Sequence, residues 1–226
     1  MMRLGGDVID FRESQRILQT ELESSMAEVG FRVTKRGGTL FVKDFNAETN
    51  LWVSLQILRD HKPKLGLFPR VGFVNFMIDR FFRESLALSK WYGQESVVTF
   101  SKTLGYLVPE SDQVEWYFDP KQVSFGAPVK TIVRYLIDYG MPFMTRYPTL
   151  DALVEWAESP GPEPYSMTNQ PLLRPVIFYL SGQIVRANEI LSAEISKFLE
   201  NGDREHPAFE PYMRFEEILI GRLRIN

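Results

Sequence analysis

Acidic side chains gather in one stretch near the middle of the chain, which contains Glu110, Asp112, Glu115 and Asp119. Two carboxylates that lie close together can bind Mg²⁺ or divide the general acid and base roles between them. Tyr117 lies among them, and aromatic rings beside carboxylates are typical of interface anchors. The stretch therefore predicts a carboxylate site, a surface that contacts a basic partner, or a solvated turn. Tyr117 could also be covered by C-terminal helices.

Other arrangements that carry catalysis are missing from the sequence. A metal-dependent nuclease pattern would place a lysine two residues after Glu115, where the chain has Tyr117. The chain contains no cysteine, which excludes thiolate nucleophiles, disulfides and Cys-based zinc sites. Its histidines, His61 and His206, lie far apart in sequence and outside any metal-ligand spacing. We therefore predict no catalytic residues, no metal and no cofactor.

Two short glycine-containing stretches match catalytic motifs only in part. Ser181-Gly182 lacks the first glycine of the G-x-S-x-G motif, so we expect a small residue at a helix–helix turn. Gly37-Gly38 is followed by a strand pattern rather than a helix, so no helix N-terminus would face a bound phosphate there. Neither stretch changes the prediction of a chain without a catalytic set.

Charge and composition limit the partners and the compartment. The 226 residues carry 26 Lys and Arg against 29 Asp and Glu, a net charge of −3 with both signs scattered along the chain. The nearest basic cluster, Lys62-Pro63-Lys64 with Arg59 and Arg70, is interpreted as guarding a strand end. No apolar run approaches the roughly 20 residues that span a bilayer, and no signal-peptide pattern is present. We expect a cytoplasmic protein that binds neither nucleic acid nor membrane.

The first half of the chain combines a helix with several strands. Apolar residues at helical spacing predict a helix over residues 10–29, which ends at Gly30. A hairpin over residues 31–43 and a half-buried strand over residues 51–57 follow from alternating apolar residues. A fourth strand is predicted within residues 65–75, with Pro69 favouring an edge position or a bulge.

A second helix and a second group of strands are predicted next. The helix covers residues 76–90, with Met77 on its buried side and Asp79 on its exposed side. Strands are predicted over residues 97–100, 104–108 and 114–118, the last two forming a hairpin. In the last strand Tyr117 would face the side opposite Trp116 and Phe118.

The second half of the chain is predicted to be helical after residue 125. The helical segments fall at residues 128–139, 149–158, 172–181, 184–200 and 208–224, and residues 159–171 read as a Pro-rich loop. Strands gathered before helices favour an α+β fold over a parallel βαβ sheet. We predict a single α+β domain over residues 1–226, with a helix plus β-rich half at 1–125 and a helical half at 126–226.

Glycine and aromatic residues over roughly residues 10–120 carry a resemblance to a known group of proteins. The motifs are Val29-Gly30-Phe31, Gly38-Thr39-Leu40-Phe41, Trp52, Leu65-Gly66-Leu67, Val71-Gly72-Phe73-Val74-Asn75, Leu104-Gly105-Tyr106 and Val114-Glu115-Trp116. This skeleton resembles a loose group of bacterial α+β proteins, some of which are similar to immunity proteins of polymorphic toxin systems. The resemblance implies a cytoplasmic, non-enzymatic protein that neutralises a toxin by binding it. It carries over no catalytic residues.

These observations lead to a prediction of function with two alternatives. The leading prediction is a non-enzymatic module that binds a cognate protein, such as a toxin or effector, through Glu110, Asp112, Glu115 and Tyr117. One alternative is a carboxylate-based enzyme or small-ligand binder with a pocket between the sheet and the C-terminal helices. Another is a structural subunit of an assembly, which would expose a large apolar patch. The sequence leaves the oligomeric state open.

Overall fold

The chain folds as an N-terminal helix, an antiparallel sheet and a series of C-terminal helices, which confirms the predicted α+β class. The computed structural model describes residues 11–34, 40–58, 64–86, 98–109, 116–119, 124–159, 170–200 and 209–224.

Helix α1, Phe11–Glu28, confirms the first predicted helix. Leu18, Leu22 and Met26 are buried along one stripe, as the helical spacing required. Gly30 has a φ of +85°, a left-handed conformation that glycine adopts without a Cβ penalty. Its N–H donates to Ala27 O at 3.0 Å, and the Phe31 N–H donates to Met26 O at 3.0 Å. These paired bonds satisfy the last carbonyls of the helix.

The sheet takes its strands from both sides of the second helix. Its strands are β1 Arg32–Val33, β2 Leu40–Asp44, β3 Thr49–Leu58, β4 Leu65–Asn75, β5 Phe100–Thr103 and β6 Trp116–Phe118. The strand order is β1-β2-β3-β4-β5, and β6 pairs with β4. The β1–β2 pairing confirms the first hairpin. Its predicted glycine turn lies outside the described residues.

One strand prediction is wrong, and another is wrong in part. Pro69 was predicted at an edge position or a bulge, but β4 has β3 and β5 as neighbours, and Pro69 lies beyond the Leu65–Leu67 stretch that pairs with β6. The edge position is therefore wrong, and the bulge stays a prediction. The segment Leu104–Leu107 is a 3₁₀-helix rather than a strand, so β6 forms no hairpin with it. Adjacent Leu104 and Gly105 are both buried, which is not the alternation of a strand.

Helix α2, Phe76–Arg80, continues into a π-helical turn, Phe81–Ser85. The Asn75 side chain begins α2 by accepting hydrogen bonds from the N–H groups of Met77 and Ile78. Met77 was predicted to be buried and is exposed, whereas Asp79 was predicted to be exposed and is buried. Burial of the Asp79 carboxylate is tolerated because Arg83 pairs with it at 2.7 Å, at the predicted i,i+4 spacing.

The remaining helices confirm the predicted helical second half. They are α3 Gly126–Tyr135, which continues into a π-helical turn at Leu136–Gly140, then α4 Met141–Met144, α5 Leu150–Glu158, α6 Gln170–Leu180, α7 Ile184–Glu200 and α8 Glu210–Leu223. The Pro-rich loop lies mostly outside the described residues.

The chain divides into two compact units that are interleaved in sequence. The first unit comprises Met1–Lys43, Leu51–Val71 and Lys102–Phe143. The second comprises Asp44–Asn50, Gly72–Ser101 and Met144–Asn226. The predicted single domain with two sequence halves stays a prediction.

Candidate partner-binding groove

Tyr117 is the one residue of the predicted partner surface that falls within the described part of the chain. Its side chain is 40% exposed, and its neighbours Trp116 and Phe118 are buried. This confirms the predicted alternation along β6. Glu110, Asp112 and Glu115 lie outside the described residues. The acidic and aromatic surface that combines all four therefore stays a prediction.

The pairing of β6 with β4 explains why Tyr117 reaches the surface. Tyr117 lies opposite Gly66, and Trp116 lies opposite Leu67. Directly opposite residues of an antiparallel pair project to the same side of the sheet, and Gly66 has no side chain that could cover the Tyr117 ring. The alternation of side chains along β6 places Tyr117 on the face opposite Trp116.

Trp116 connects the strand to helix α3 in the first unit. Its ring lies 6.2 Å from Tyr135, and Tyr135 lies 5.8 Å from Tyr139. The Arg134 guanidinium lies 5.4 Å from the centre of the Tyr135 ring, a cation–π geometry. These rings hold α3 against the sheet on the side away from Tyr117.

A carboxylate from α1 fixes the beginning of α3. The Phe125 N–H, at the N-cap position of α3, donates to Glu21 Oε2 at 2.8 Å. A negative charge is favourable there because free N–H groups and the helix dipole both point toward it. In a capping box, a glutamate accepts a hydrogen bond from the N-cap N–H of its own helix; here Glu21 of α1 accepts the equivalent bond from α3. The contact sets α1 and α3 side by side.

An open groove lies between α1 and the α3 helix with its π-turn, all in the first unit. Its volume is about 270 Å³. It is lined by Ser25, Glu28, Val29, Lys130, Val133, Arg134, Ile137 and Asp138. Since Glu21 meets the start of α3 and Ser25 to Val29 line the groove with residues 130–138, the two helices run in the same direction.

The π-helical turn places an apolar side chain at the groove. Ile137 is 47% exposed, although its neighbour Leu136 is buried. A π-turn contains more residues than an α-helical turn, which changes the direction of the side chains that follow it, and such turns are frequent at functional sites. Gly140 allows the turn to pack closely, because a Cβ there would lie 2.9 Å from Leu136 and 3.3 Å from Leu104 side-chain atoms.

On the α1 side of the groove, hydrogen bonds hold the backbone at the C-terminal end of the helix. Val29, which lines the groove, is the last residue before Gly30, and its carbonyl accepts a hydrogen bond from Lys43 Nζ at 2.9 Å. The same ammonium lies 5.8 Å from the centre of the Phe31 ring. The C-terminal end of α1 is therefore held both by its glycine turn and by a lysine from β2.

The groove offers binding groups of three kinds. Val29, Val133 and Ile137 contribute apolar side chains to its lining. Lys130 and Arg134, one helical turn apart, contribute positive charges, while Glu28 and Asp138 contribute negative ones. An apolar lining between charges of both signs binds a side chain by burial and can anchor flanking residues by ion pairs. Nowhere in the described ranges do three or more acidic or histidine side chains lie close enough to hold a metal ion.

The remaining sequence candidates contribute no site in the described residues. Gly182 has a φ of +82°, and the N–H groups of Gly182 and Gln183 donate to carbonyls of the last turn of α6. This confirms that Ser181-Gly182 is a turn between helices. His61, His206 and Gly37-Gly38 lie outside the described residues.

Comparisons with known proteins give the chain no relative. No family model, no curated protein and no solved structure matches it. The resemblance to immunity proteins therefore stays a prediction. Among the described helices, none combines the length and the apolar character that are needed to cross a membrane.

Sequence reasoning missed the groove, although it predicted both helices that form it. The missing information was the contact between α1 and α3, which are about a hundred residues apart in the chain. One local signal was available: Ile137 directly follows Leu136, so a helix that buries Leu136 must turn Ile137 partly away.

Proposed function

We propose that this protein is a non-enzymatic binding module that holds an apolar side chain of a partner protein in the groove between α1 and α3. The size and lining of the groove carry the proposal. Pockets for small molecules usually measure about 300–1,000 Å³. A volume of about 270 Å³ lies just below this range, and the open mouth of the groove leaves room for one or two protein side chains.

The partner is expected to present an apolar residue flanked by charges of both signs. Ile137 and Val133 would bury the apolar residue, while Lys130 and Arg134 would pair with acidic residues beside it. Such an arrangement matches an amphipathic segment lying in a groove. The resemblance seen in the sequence supports an immunity-type or regulatory protein, for which the partner is a toxin or effector of the same cell.

A second surface of the same function centres on Tyr117. Its exposure supports the predicted contact through Glu110, Asp112, Glu115 and Tyr117, because exposed tyrosines are common anchors in protein interfaces. Tyr117 faces away from the side of β6 that packs on α3, so the two surfaces are tested separately. The carboxylate-based enzyme stays a prediction, since three carboxylates of that stretch, Glu110, Asp112 and Glu115, lie outside the described residues.

The experiment compares purification of the protein and its variants from the source cells. Tagged wild-type protein, Ile137→Glu and Arg134→Glu test the groove, and Tyr117→Ser tests the second surface. Val185→Glu is the matched control, because Val185 is 65% exposed on α7 in the other unit. A specific partner is identified from the wild-type sample by mass spectrometry, and its affinity for each variant is then measured with purified proteins.

We expect Ile137→Glu to weaken binding of that partner by about tenfold or more, as removal of an interface anchor does. Val185→Glu should bind like the wild type, and all variants should unfold at similar temperatures because the changed residues are exposed. If the partner is a toxin, its effect on cell growth should be relieved by the wild type and less well by Ile137→Glu. Equal binding by Ile137→Glu and the control Val185→Glu would refute the groove, and a wild-type protein that retains no specific partner would refute the proposed function.

A further inference from the structure

The outward face of helix α8 carries a short set of residues whose charges and shapes would match a second copy of the same set. Pro211, Tyr212, Phe215 and Leu219 are buried on one side of the helix. With about 3.6 residues per turn, the C-terminal part of the opposite side carries Glu217, Ile220, Gly221 and Arg224. All four are exposed, and 40% of the Ile220 side chain is accessible. Neither Glu217 nor Arg224 forms an ion pair with another residue in the described ranges.

Gly221 is unusual because it lies inside the last turns of a helix that it weakens. Glycine has the lowest helix propensity after proline, since it loses the most backbone freedom. A Cβ at this position would meet no described atom within 4 Å, so packing within the chain does not require its absence. A missing side chain on an exposed helix face instead leaves a notch that allows another surface to approach closely.

When the helix is reversed, the order of Glu217, Ile220, Gly221 and Arg224 is complementary to itself. We propose that α8 pairs with α8 of a second copy of this chain in an antiparallel arrangement, with a two-fold axis between Ile220 and Gly221. In that register Ile220 of each copy lies over the Gly221 notch of the other. Glu217 of each copy lies opposite Arg224 of the other, which forms two equivalent ion pairs. Such an isologous interface is the commonest kind in protein dimers.

Charge argues against other occupants of the same face. A parallel pairing would set Glu217 against Glu217 and Arg224 against Arg224, which is repulsive. The four residues of the pairing carry one positive and one negative charge, so they give no net attraction for nucleic acid or an anionic membrane. A copy of the same face in the antiparallel direction matches both charges at once.

The pairing is expected to be weak and salt-dependent. Helix α8 has 14 residues and is therefore about 21 Å long. A contact through one such helix is smaller than the roughly 800 Å² per partner of a standard interface. Its ion pairs are exposed at the rim, where salt screens them. The dimer should therefore form at high micromolar concentration and at low ionic strength.

Charge reversal tests the register directly. Sedimentation equilibrium is measured on the full chain from micromolar to near-millimolar concentration. Glu217→Arg and Arg224→Glu should each weaken dimerisation by about tenfold, because each change sets like charges against each other twice. An equimolar mixture of the two variants should recover the wild-type affinity within about threefold, because every pair across the heterodimer is again attractive. The double variant E217R/R224E should also recover it as a homodimer.

Gly221→Leu provides a second test, because it should raise the unfolding temperature and lower the affinity of the dimer. Leucine favours the helix, so this variant should unfold at a higher temperature than the wild type. It should also dimerise at least about tenfold more weakly, because the notch is filled. A wild-type protein that stays monomeric near 1 mM in low salt would overturn the pairing. A dimer that is insensitive to both charge reversals, or a mixture that fails to recover, would overturn it equally.

Discussion

Two helix packings in this molecule are held by different forces. In the first unit two side-chain contacts to the backbone fix α1: Glu21 accepts from the Phe125 N–H at the start of α3, and Lys43 of β2 donates to Val29 O at the end of α1. In the second unit α8 is held by rings: Phe215 lies 5.2 Å from Phe81 and 5.6 Å from Tyr179. The first contact leaves a groove of about 270 Å³ between the helices, and the second fills its interface with aromatic side chains.

The difference explains where each region can bind. A hydrogen bond at one helix end fixes position without filling the space along the helices, so apolar side chains such as Ile137 stay partly exposed. Interlocking rings fill the space and leave only the far side of α8 for contacts. A concave site for a partner's side chain therefore belongs to the first packing, and a convex face for another helix belongs to the second.

Removal of a ring should have the largest effect on folding. Phe215 is fully buried, so Phe215→Ala is expected to lower the free energy of unfolding by about 3–5 kcal/mol through lost burial and a cavity. The free energy is measured by urea unfolding at neutral pH. Val185→Ala, on an exposed position of the same unit, is the control and should change it by less than about 0.5 kcal/mol. A loss below about 1 kcal/mol for Phe215→Ala would show that the rings do not hold α8.

Removal of the polar contact should have a smaller effect on folding and a separate effect on the groove. Glu21→Ala is expected to cost about 1–2 kcal/mol, because the Phe125 N–H and the start of α3 lose a charged acceptor. Urea unfolding measures this cost, and binding of the groove's partner should weaken because α3 is no longer fixed against α1. Glu21→Gln keeps an acceptor oxygen and should lie between the wild type and Glu21→Ala.

The control for Glu21 is a glutamate on the same helix that is not hydrogen-bonded to α3. Glu23 accepts a hydrogen bond from Gln19 within α1. Glu23→Ala should therefore cost less than about 0.5 kcal/mol, in line with pairs on a helix surface. Equal losses for Glu21→Ala and Glu23→Ala would contradict a capping role for Glu21.

Local patterns in the sequence predicted the parts of the fold that depend on neighbouring residues. The stripe of Leu18, Leu22 and Met26 and the stop at Gly30 predicted α1, because helix periodicity and left-handed glycine are local properties. The alternation of Trp116, Tyr117 and Phe118 predicted the two faces of β6 for the same reason.

Long-range contacts explain the predictions that are wrong and the site that was missed. The sequence could not show that β6 pairs with Leu65–Leu67, and local alternation therefore predicts residues 104–108, most of which form a 3₁₀-helix, as its partner strand. Asp79 was predicted on the exposed side because a lone carboxylate rarely enters a core, although its ion pair with Arg83 was expected. The groove depends on the contact from Glu21 to Phe125, for which no local pattern exists.

The smallest expected effect on stability at neutral pH comes from removal of the Tyr212 hydroxyl group, which lies inside the aromatic packing. Tyr212 is buried beside Phe198 and Phe209, and burial, with a smaller contribution from Glu194, raises its pKa to about 12. An unfolded tyrosine loses its proton near pH 10. Between about pH 10 and 12 the folded state therefore binds more protons than the unfolded state, so stability is complete below this window and falls as the pH rises through it.

Tyr212→Phe removes the titrating group while keeping the ring. Its free energy of unfolding should therefore decline less between pH 9 and 11 than that of the wild type, as measured by urea unfolding at both pH values. Val185→Ala, at an exposed residue of the same unit that does not titrate, is the control and should decline like the wild type. If Tyr212→Phe declined as steeply as the wild type, the hydroxyl would not be protected in the folded state. A flatter decline would show that the ring packing around α8 holds the Tyr212 hydroxyl away from water. In the packing beside the groove, by contrast, the Glu21 carboxylate itself makes the contact between helices.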